Sequence, residues 1–298
     1  MRSGFVPVVG RPNVGKSTLV NALVGHKVAI TSSRPQTTRN AIRGVLTLHD
    51  EGVPSAQVVF IDTPGIHRPR TELGSRLNGL VYGTLADADV VVFVVDATQP
   101  IGPGDRRTAE RLKESGAAVI VVVNKTDTAG RADVASQLTE ASEWDFSAYV
   151  PVSALEASNL EPLVSEIVER LPEGPMYFAD GEVTDQPEHV LVAEIVREKF
   201  LERLREELPH SLVVITDEME TRDDGLLWIT ARVLVERRSQ QGIVIGKGGT
   251  LLRDAGTEAR IELEAVFGTK VHLDLRVRVE PEWQSTPSAL DRLGFEKS

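Results

Sequence analysis

Gly10-Arg11-Pro12-Asn13-Val14-Gly15-Lys16-Ser17 satisfies G-x-x-x-x-G-K-S/T, with Thr18 next, and lies between an apolar run and an amphipathic stretch. That context gives the spacing its chemistry. Glycines let successive backbone N–H groups wrap phosphate oxygens, and the helix that follows presents its own unpaired donors. Lys16 should reach the β- and γ-phosphates of a nucleotide, and the Ser17 hydroxyl should bind Mg²⁺. A glycine turn that merely opens a helix is the alternative, and the full eight-residue match disfavours it. Gly10, Asn13, Val14, Gly15, Lys16, Ser17 and Thr18 are the expected phosphate contacts.

Three further segments end apolar runs. Asp62-Thr63-Pro64-Gly65 offers a carboxylate that suits the Mg²⁺ shell, reached through water, and a glycine whose N–H can approach a γ-phosphate because no side chain blocks it. Asn124-Lys125-Thr126-Asp127 supplies the discrimination of guanine from adenine. An ionised carboxylate accepts two hydrogen bonds, and guanine presents N1–H and its 2-amino group as paired donors, which adenine lacks. Asp127 is therefore the expected base reader, Asn124 a brace, and Lys125 a stem laid along the ring. Ser153-Ala154-Leu155 can offer a backbone N–H to the guanine carbonyl. Alone, each segment also reads as a turn or cap; four in this order point to a GTP/GDP pocket.

A threonine whose hydroxyl binds Mg²⁺ and whose N–H senses the γ-phosphate must lie between the phosphate loop and Asp62. In Gln36-Thr37-Thr38-Arg39 the choice falls on Thr38, with Thr37 second. Lys16, Thr38 and Gly65 are the expected catalytic groups, and Ser17, Thr38 and Asp62 the expected metal ligands. Many small GTPases place a water-positioning glutamine directly after the residue equivalent to Gly65. Here that place holds Ile66, which cannot orient water, so intrinsic hydrolysis should be slow. Arg39, a bound cation or, less so, His67 stand as substitutes. Asn13 can offer an oxygen to K⁺.

The elements that must position these groups are legible as a pattern. The near-continuous apolar runs 5–9, 58–61, 90–95 and 119–123, with a last strand at 149–152, read as buried strands of a parallel sheet. Amphipathic stretches at 16–24, 73–86, 104–115, 132–143 and 161–171 read as crossover helices. Ligands bind at the carboxyl ends of such strands, where the four segments fall. The expected organisation is an α/β P-loop GTPase domain with a mostly parallel sheet over 1–172, a linker over 173–189 and an α+β domain over 190–298. In the second domain a helix at 190–207, strands at 212–220 and 226–236, a short apolar segment at 242–245, a helix at 250–267 and a strand at 270–279 give the order α-β-β-α-α-β. At 298 residues two cores are expected, and 41% hydrophobic with 26% charged residues is ordinary globular composition. The chain contains no cysteine, which excludes disulfides and thiolate metal sites. Neither an apolar span nor a signal-peptide core is seen, so a cytoplasmic protein is expected.

Net charge is −11, which gives no global attraction to nucleic acid or an anionic membrane. From Glu188 onward 16 basic residues face 21 acidic ones. Any RNA contact must be local. Gly246-Lys247-Gly248-Gly249 fails as a second phosphate loop, because three residues rather than four separate Gly242 from Gly246 and Gly248 stands where Ser/Thr is required. It fits a G-x-x-G turn between two helices, which clamps a nucleic-acid backbone beside an apolar groove. Ile245, Gly246, Lys247, Gly248, Gly249 and Arg253 are the expected RNA contacts, with Val244, Ile245 and Leu251 lining the groove. Trp228 and Trp283 read as packing residues.

Taken together, GRPNVGKST at 10–18, QTTR at 36–39, DTPG at 62–65, NKTD at 124–127, VIGKGG at 244–249 and the tail 282–295 make the whole chain resemble the Era family of bacterial GTPases. The resemblance implies a GTPase domain followed by a type II KH domain, and a hydrophobic residue in place of the catalytic glutamine agrees with it. It also implies binding to the 3′ end of small-subunit ribosomal RNA, a checkpoint role in maturation of the small ribosomal subunit, and peripheral association with the inner face of the cell membrane. GTP would favour a state with the KH groove open to RNA, and hydrolysis would release it. The competing expectation is a nucleotide-gated interaction protein at the membrane surface, without RNA as its main partner.

Overall fold

The computed structural model describes residues 1–34, 37–66, 71–205 and 208–295. Its first unit is a six-stranded sheet in the order β2-β3-β1-β4-β5-β6, formed by β1 (Arg2–Val9), β2 (Ile42–Asp50), β3 (Val53–Asp62), β4 (Val90–Asp96), β5 (Ala118–Asn124) and β6 (Ala148–Pro151). Every pairing is parallel except β2 with β3. Valine-rich β4 and β5 are buried along nearly their whole length, because helices cover both faces. Those helices are α1 (Lys16–Val24), α2 (Glu72–Ala86), α3 (Pro103–Ser115), α4 (Arg131–Ser142) and α5 (Leu160–Arg170). One core holds α1 and α5 against the sheet, and a second lies on its other face around Phe93, Leu112 and Trp144.

Among the strands, β2 is the one the sequence pattern did not anticipate. It is an antiparallel edge strand of mixed polarity, so it has no continuous apolar run to announce it. Its outer edge is not bare, since Val45 N–H donates to the Val183 carbonyl at 2.9 Å. The expected linker is thus an ordered strap. Gln57, fully buried in β3, accepts from the Tyr177 and Phe178 N–H groups at 2.8 and 3.1 Å and donates to the Phe178 carbonyl at 3.0 Å.

The second unit contains α6 (Glu188–Arg203), the single turn α7 (Leu208–Ser211), β7 (Val213–Thr221), β8 (Leu227–Val235), α8 (Arg238–Ile245), α9 (Thr250–Phe267), β9 (Val271–Val279) and α10 (Pro287–Arg292). The sheet order is β7-β8-β9, antiparallel and then parallel. α6 stops before its expected end at 207, which itself lies outside the described residues. Its terminal carbonyls are taken by Arg34 of the first domain, at 2.8 Å to Leu204 and 3.4 Å to Leu201. Tertiary contact therefore closes a helix that periodicity would have extended. Beyond β9 the tail packs Trp283, Leu290 and Phe295 against Leu73 and Leu77 of α2. No helix among the described residues is long and apolar enough to cross a membrane.

Candidate functional site

β1 ends at Val9, and the chain turns through Gly10 and Gly15, whose φ values of +151° and +96° favour glycine. A Cβ on Gly15 would run into the Asn124 amide, so the phosphate loop and the base-reading loop touch at a point that tolerates no side chain. Asn124 bridges them, its Nδ2 donating to the Val14 carbonyl at 2.8 Å and its Oδ1 accepting from Ala154 N–H at 3.0 Å. Lys125 donates to the Asn13 carbonyl at 2.7 Å and to Asp96 Oδ2 at 2.6 Å. Asn124 is thus a brace, as expected, and the Ala154 N–H expected to meet the guanine carbonyl is engaged by it. Asp127 is exposed, and its carboxylate accepts from Ser153 Oγ at 2.5 Å and Thr128 Oγ1 at 2.7 Å. These bonds hold its pKa below the usual carboxylate value, so the group is ionised and aimed. Leu155 is 73% exposed beside it, an apolar flank for a base.

At the other end of the cleft three oxygens converge. Asp62 Oδ2 accepts from Ser17 Oγ at 2.6 Å and from Thr38 Oγ1 at 3.1 Å, and the two hydroxyls are 3.0 Å apart. Asp62 is fully buried, and its Oδ1 has no hydrogen-bond partner among the described residues. Burial pushes this carboxyl up, against the opposing pull of Ser17, Lys16 and Thr38. Two hydroxyls and a carboxylate with an orphaned oxygen form a hard-oxygen donor set that suits Mg²⁺. Thr37, the second choice, instead donates its hydroxyl to the Arg34 carbonyl at 2.7 Å. Lys16 is buried, donates to the Gly10 and Arg11 carbonyls at 3.2 and 2.9 Å, and is pushed down to about 8 by desolvation, with Asp62 opposing. Such an ammonium gains from an arriving phosphate. Gly65 sits against the phosphate loop, where an added Cβ would lie 2.8 Å from Pro12.

Other expected contacts behave differently. Thr63 turns inward, donating to the Val8 carbonyl at 2.8 Å, and secures the strand end rather than facing the cleft. Ile66 packs against the core beneath α2 and α3. Arg39, considered as a stand-in for the missing glutamine, points away: its guanidinium donates to the Leu212 and Pro209 carbonyls of the second domain at 2.7 and 3.2 Å. Gln36 and His67 lie outside the described residues.

In the second domain α8 ends at Gly246, where φ is +78° and an added Cβ would meet Leu251 at 2.8 Å. Lys247, Gly248 and Arg253 are exposed, as a backbone clamp requires. The apolar groove is revised. Val244 is fully buried in the domain core, whereas Ile243, not anticipated as a contact, is 53% exposed. Counting the helical phase of α8 back from buried Val244 would have found it. Trp228 is stacked between His272, with centroids 3.7 Å apart, and Arg222 at 3.6 Å, a packing role as expected.

Phosphate loop, base-reading loop and switch threonine at one sheet edge make the first domain a P-loop GTPase, and the G-x-x-G turn between two helices makes the second a KH domain. A family model described as 50S ribosome-binding GTPase matches residues 5–125, and one described as KH domain matches residues 207–284. GTPase Era of Mycolicibacterium paratuberculosis is 51% identical over 300 residues, with 99% of both chains covered. GTPase Era of Mycobacterium tuberculosis is 52% identical over 300 residues, with 98% of both covered. Two solved Era structures, each 39% identical with TM-score 0.94 and 99% of both chains covered, are a single-site variant from Aquifex aeolicus bound to GDP and AlF4⁻, and a complex with MgGDPNP and nucleotides 1506–1542 of 16S ribosomal RNA. The chain belongs to the Era GTPase family.

Proposed function

We propose that this protein is a Mg²⁺-dependent GTP-hydrolysing switch that binds the 3′ end of small-subunit ribosomal RNA through its KH turn and acts in assembly of the small ribosomal subunit. The observation that carries the reading is the convergence of Ser17, Thr38 and Asp62 beside Lys16 in a chain that also presents an open G-x-x-G turn. The Era complex with MgGDPNP and 16S nucleotides supports both halves of it.

Mg²⁺, when bound, supplies positive charge to the β- and γ-phosphate oxygens. This chain's residues do the rest. Ser17 and Thr38 would hold the ion, with Asp62 completing the oxygen set through water. Lys16 donates to the β- and γ-phosphates, and the Gly65 N–H approaches the γ-phosphate. Water attacks the γ-phosphorus, the bond to the β–γ bridging oxygen breaks with its electrons leaving on GDP, and the water proton ends on inorganic phosphate. Ile66 offers no group to orient that water, so the unassisted rate is slow. Asp127 reads guanine N1–H and the 2-amino group. Asn13, whose side-chain amide lies 2.7 Å from the Ser33 carbonyl, brings amide and carbonyl groups together beside the phosphate loop, where K⁺ would find oxygen ligands and add charge during hydrolysis.

The test is the GTPase rate of the full chain with and without a single strand copying the 3′ end of small-subunit rRNA. RNA should raise the rate several-fold, and Gly246→Asp, which strains the turn, should abolish the rise. No response to RNA would favour the nucleotide-gated interaction protein at the membrane surface. Rates equal in NaCl and KCl would remove the potassium assignment.

A further inference from the structure

We infer that Arg39 is a positioning residue for hydrolysis, holding Thr38 at the metal-facing oxygens by anchoring the switch backbone in the second domain and the C-terminal tail. The inference rests on the reading of Thr38 as a Mg²⁺ ligand.

Thr38 is bracketed. On its N-terminal side the Thr37 carbonyl accepts from Arg197 of α6, whose own guanidinium is 1% exposed and fastened to Glu194 at 2.8 and 2.6 Å. On its C-terminal side Arg39 is 2% exposed. It donates to the Leu212 and Pro209 carbonyls and lies 5.6 Å from the centre of the Trp283 ring. Trp283 is itself fully buried, with its indole N–H on the Ser211 carbonyl at 3.0 Å. The chain on both sides of the threonine, through the Thr37 carbonyl and the Arg39 side chain, is thus tied to the second domain, while its hydroxyl faces Asp62 and Ser17 of the first.

A buried guanidinium is costly unless its donors and its face are occupied. Here the Leu212 and Pro209 carbonyls and the Trp283 ring form the receptor that occupies them. Withdrawing Thr38 from the cleft drags Arg39 out of it. The same tail also grips α2, which follows the Asp62–Gly65 segment: Leu73 N–H donates to the Gln284 carbonyl at 3.1 Å, and Arg76 meets Asp291 at 2.5 Å. Seating of the tail and seating of Thr38 are therefore one event. An Arg here is not interchangeable with Lys, since the forked donor set reaches two carbonyls while its carbon sits over an indole ring.

The experiment compares Thr38→Ala, Arg39→Gln, Arg39→Lys and Trp283→Leu in the full chain by steady-state GTPase kinetics across Mg²⁺ concentrations, with GDP affinity alongside. Arg39→Gln should lower kcat about tenfold and raise the Mg²⁺ concentration for half-maximal rate by a similar factor, with KM for GTP changing less. GDP affinity, which needs no switch threonine, should stay within about twofold, showing the pocket folded. Lysine should restore little. Trp283→Leu should reproduce the effect and be non-additive with Arg39→Gln. Wild-type kcat and Mg²⁺ dependence in Arg39→Gln, with Thr38→Ala impaired, would overturn the inference. Normal Mg²⁺ dependence in Thr38→Ala would instead overturn the ligand reading beneath it. Should Arg39→Gln lose GDP binding, Trp283→Leu and Arg197→Lys carry the same comparison, and normal Mg²⁺ dependence in both would overturn it.

Discussion

At the scale of the residue, the cleft is organised by side chains that wait for a ligand. Lys16 donates to two backbone carbonyls, and burial lowers it to about 8, with Asp62 opposing. Phosphate charge would raise that value again, so nucleotide binding and protonation are linked. The sign is fixed: below pH about 8 Lys16 is already charged and binding takes up no proton, while above it the proton must be supplied. GDP affinity should be level from pH 6 to 7.5 and fall as pH rises past 8, by up to about tenfold per unit. Calorimetric titration in buffers of different ionisation enthalpy should register proton uptake near zero at pH 7 and approaching one proton at pH 9. Types and spacing alone singled out Lys16, Ser17 and Asp62, which the fold brings together, and Asp127, which it leaves exposed. The inward turn of Thr63 and the buried side of Val244 were not legible, because which face a residue shows depends on what packs there.

At the scale of the element, strand ends deliver the chemistry and glycines set how closely loops meet. Gly65 shows this most directly, since an added Cβ would fall 2.8 Å from three Pro12 atoms, two of them backbone. Gly65→Ala should push the Asp62–Gly65 segment off the phosphate loop. Single-turnover hydrolysis should drop at least about tenfold, consistent with losing one N–H donor to the transferred phosphoryl, while GDP binding changes little; an unchanged rate would show that the loops need not close. Elements with a strong period were legible before folding: β1, β3, β4 and β5 as apolar runs, α9 as an amphipathic stretch. β2 was not, because an edge strand of mixed polarity carries neither signature. The end of α6 was not, because its last carbonyls are satisfied by Arg34 across the domain boundary.

At the scale of the whole molecule, the domains are joined by an ionic cluster as well as by Arg39. Glu198, 2% exposed, accepts from Thr31 N–H at 2.8 Å, Lys27 at 2.6 Å and Lys199 at 3.0 Å. Glu262 of α9, the helix leading from the G-x-x-G turn, meets Lys27 and, at 2.6 Å, Lys199. Burial opposes ionisation of Glu262, but Lys199 and Lys27 outweigh it and hold its pKa below the usual value. A depressed carboxyl contributes stability above its unfolded pKa, and loses it as pH falls through the folded one. Glu262→Gln should thus lower the melting temperature by a few degrees at pH 7, where the pair is partly exposed and worth about 1 kcal/mol. The gap from wild type should narrow as pH is taken from 6 to 4; a gap independent of pH would remove the ionic account.

The sequence by itself determined the chemistry of the pocket, the guanine preference, the absence of a water-orienting glutamine, two domains in order, and the G-x-x-G turn. Each of these lives in a contiguous motif or a local period. Only the tertiary structure decided that Arg39 serves the second domain rather than the γ-phosphate, that the 173–187 segment is an ordered strap, and that the tail grips α2 beside Arg39. Those facts depend on partners more than a hundred residues away, and nothing in a local run of residues records which distant carbonyl or indole will meet a buried guanidinium.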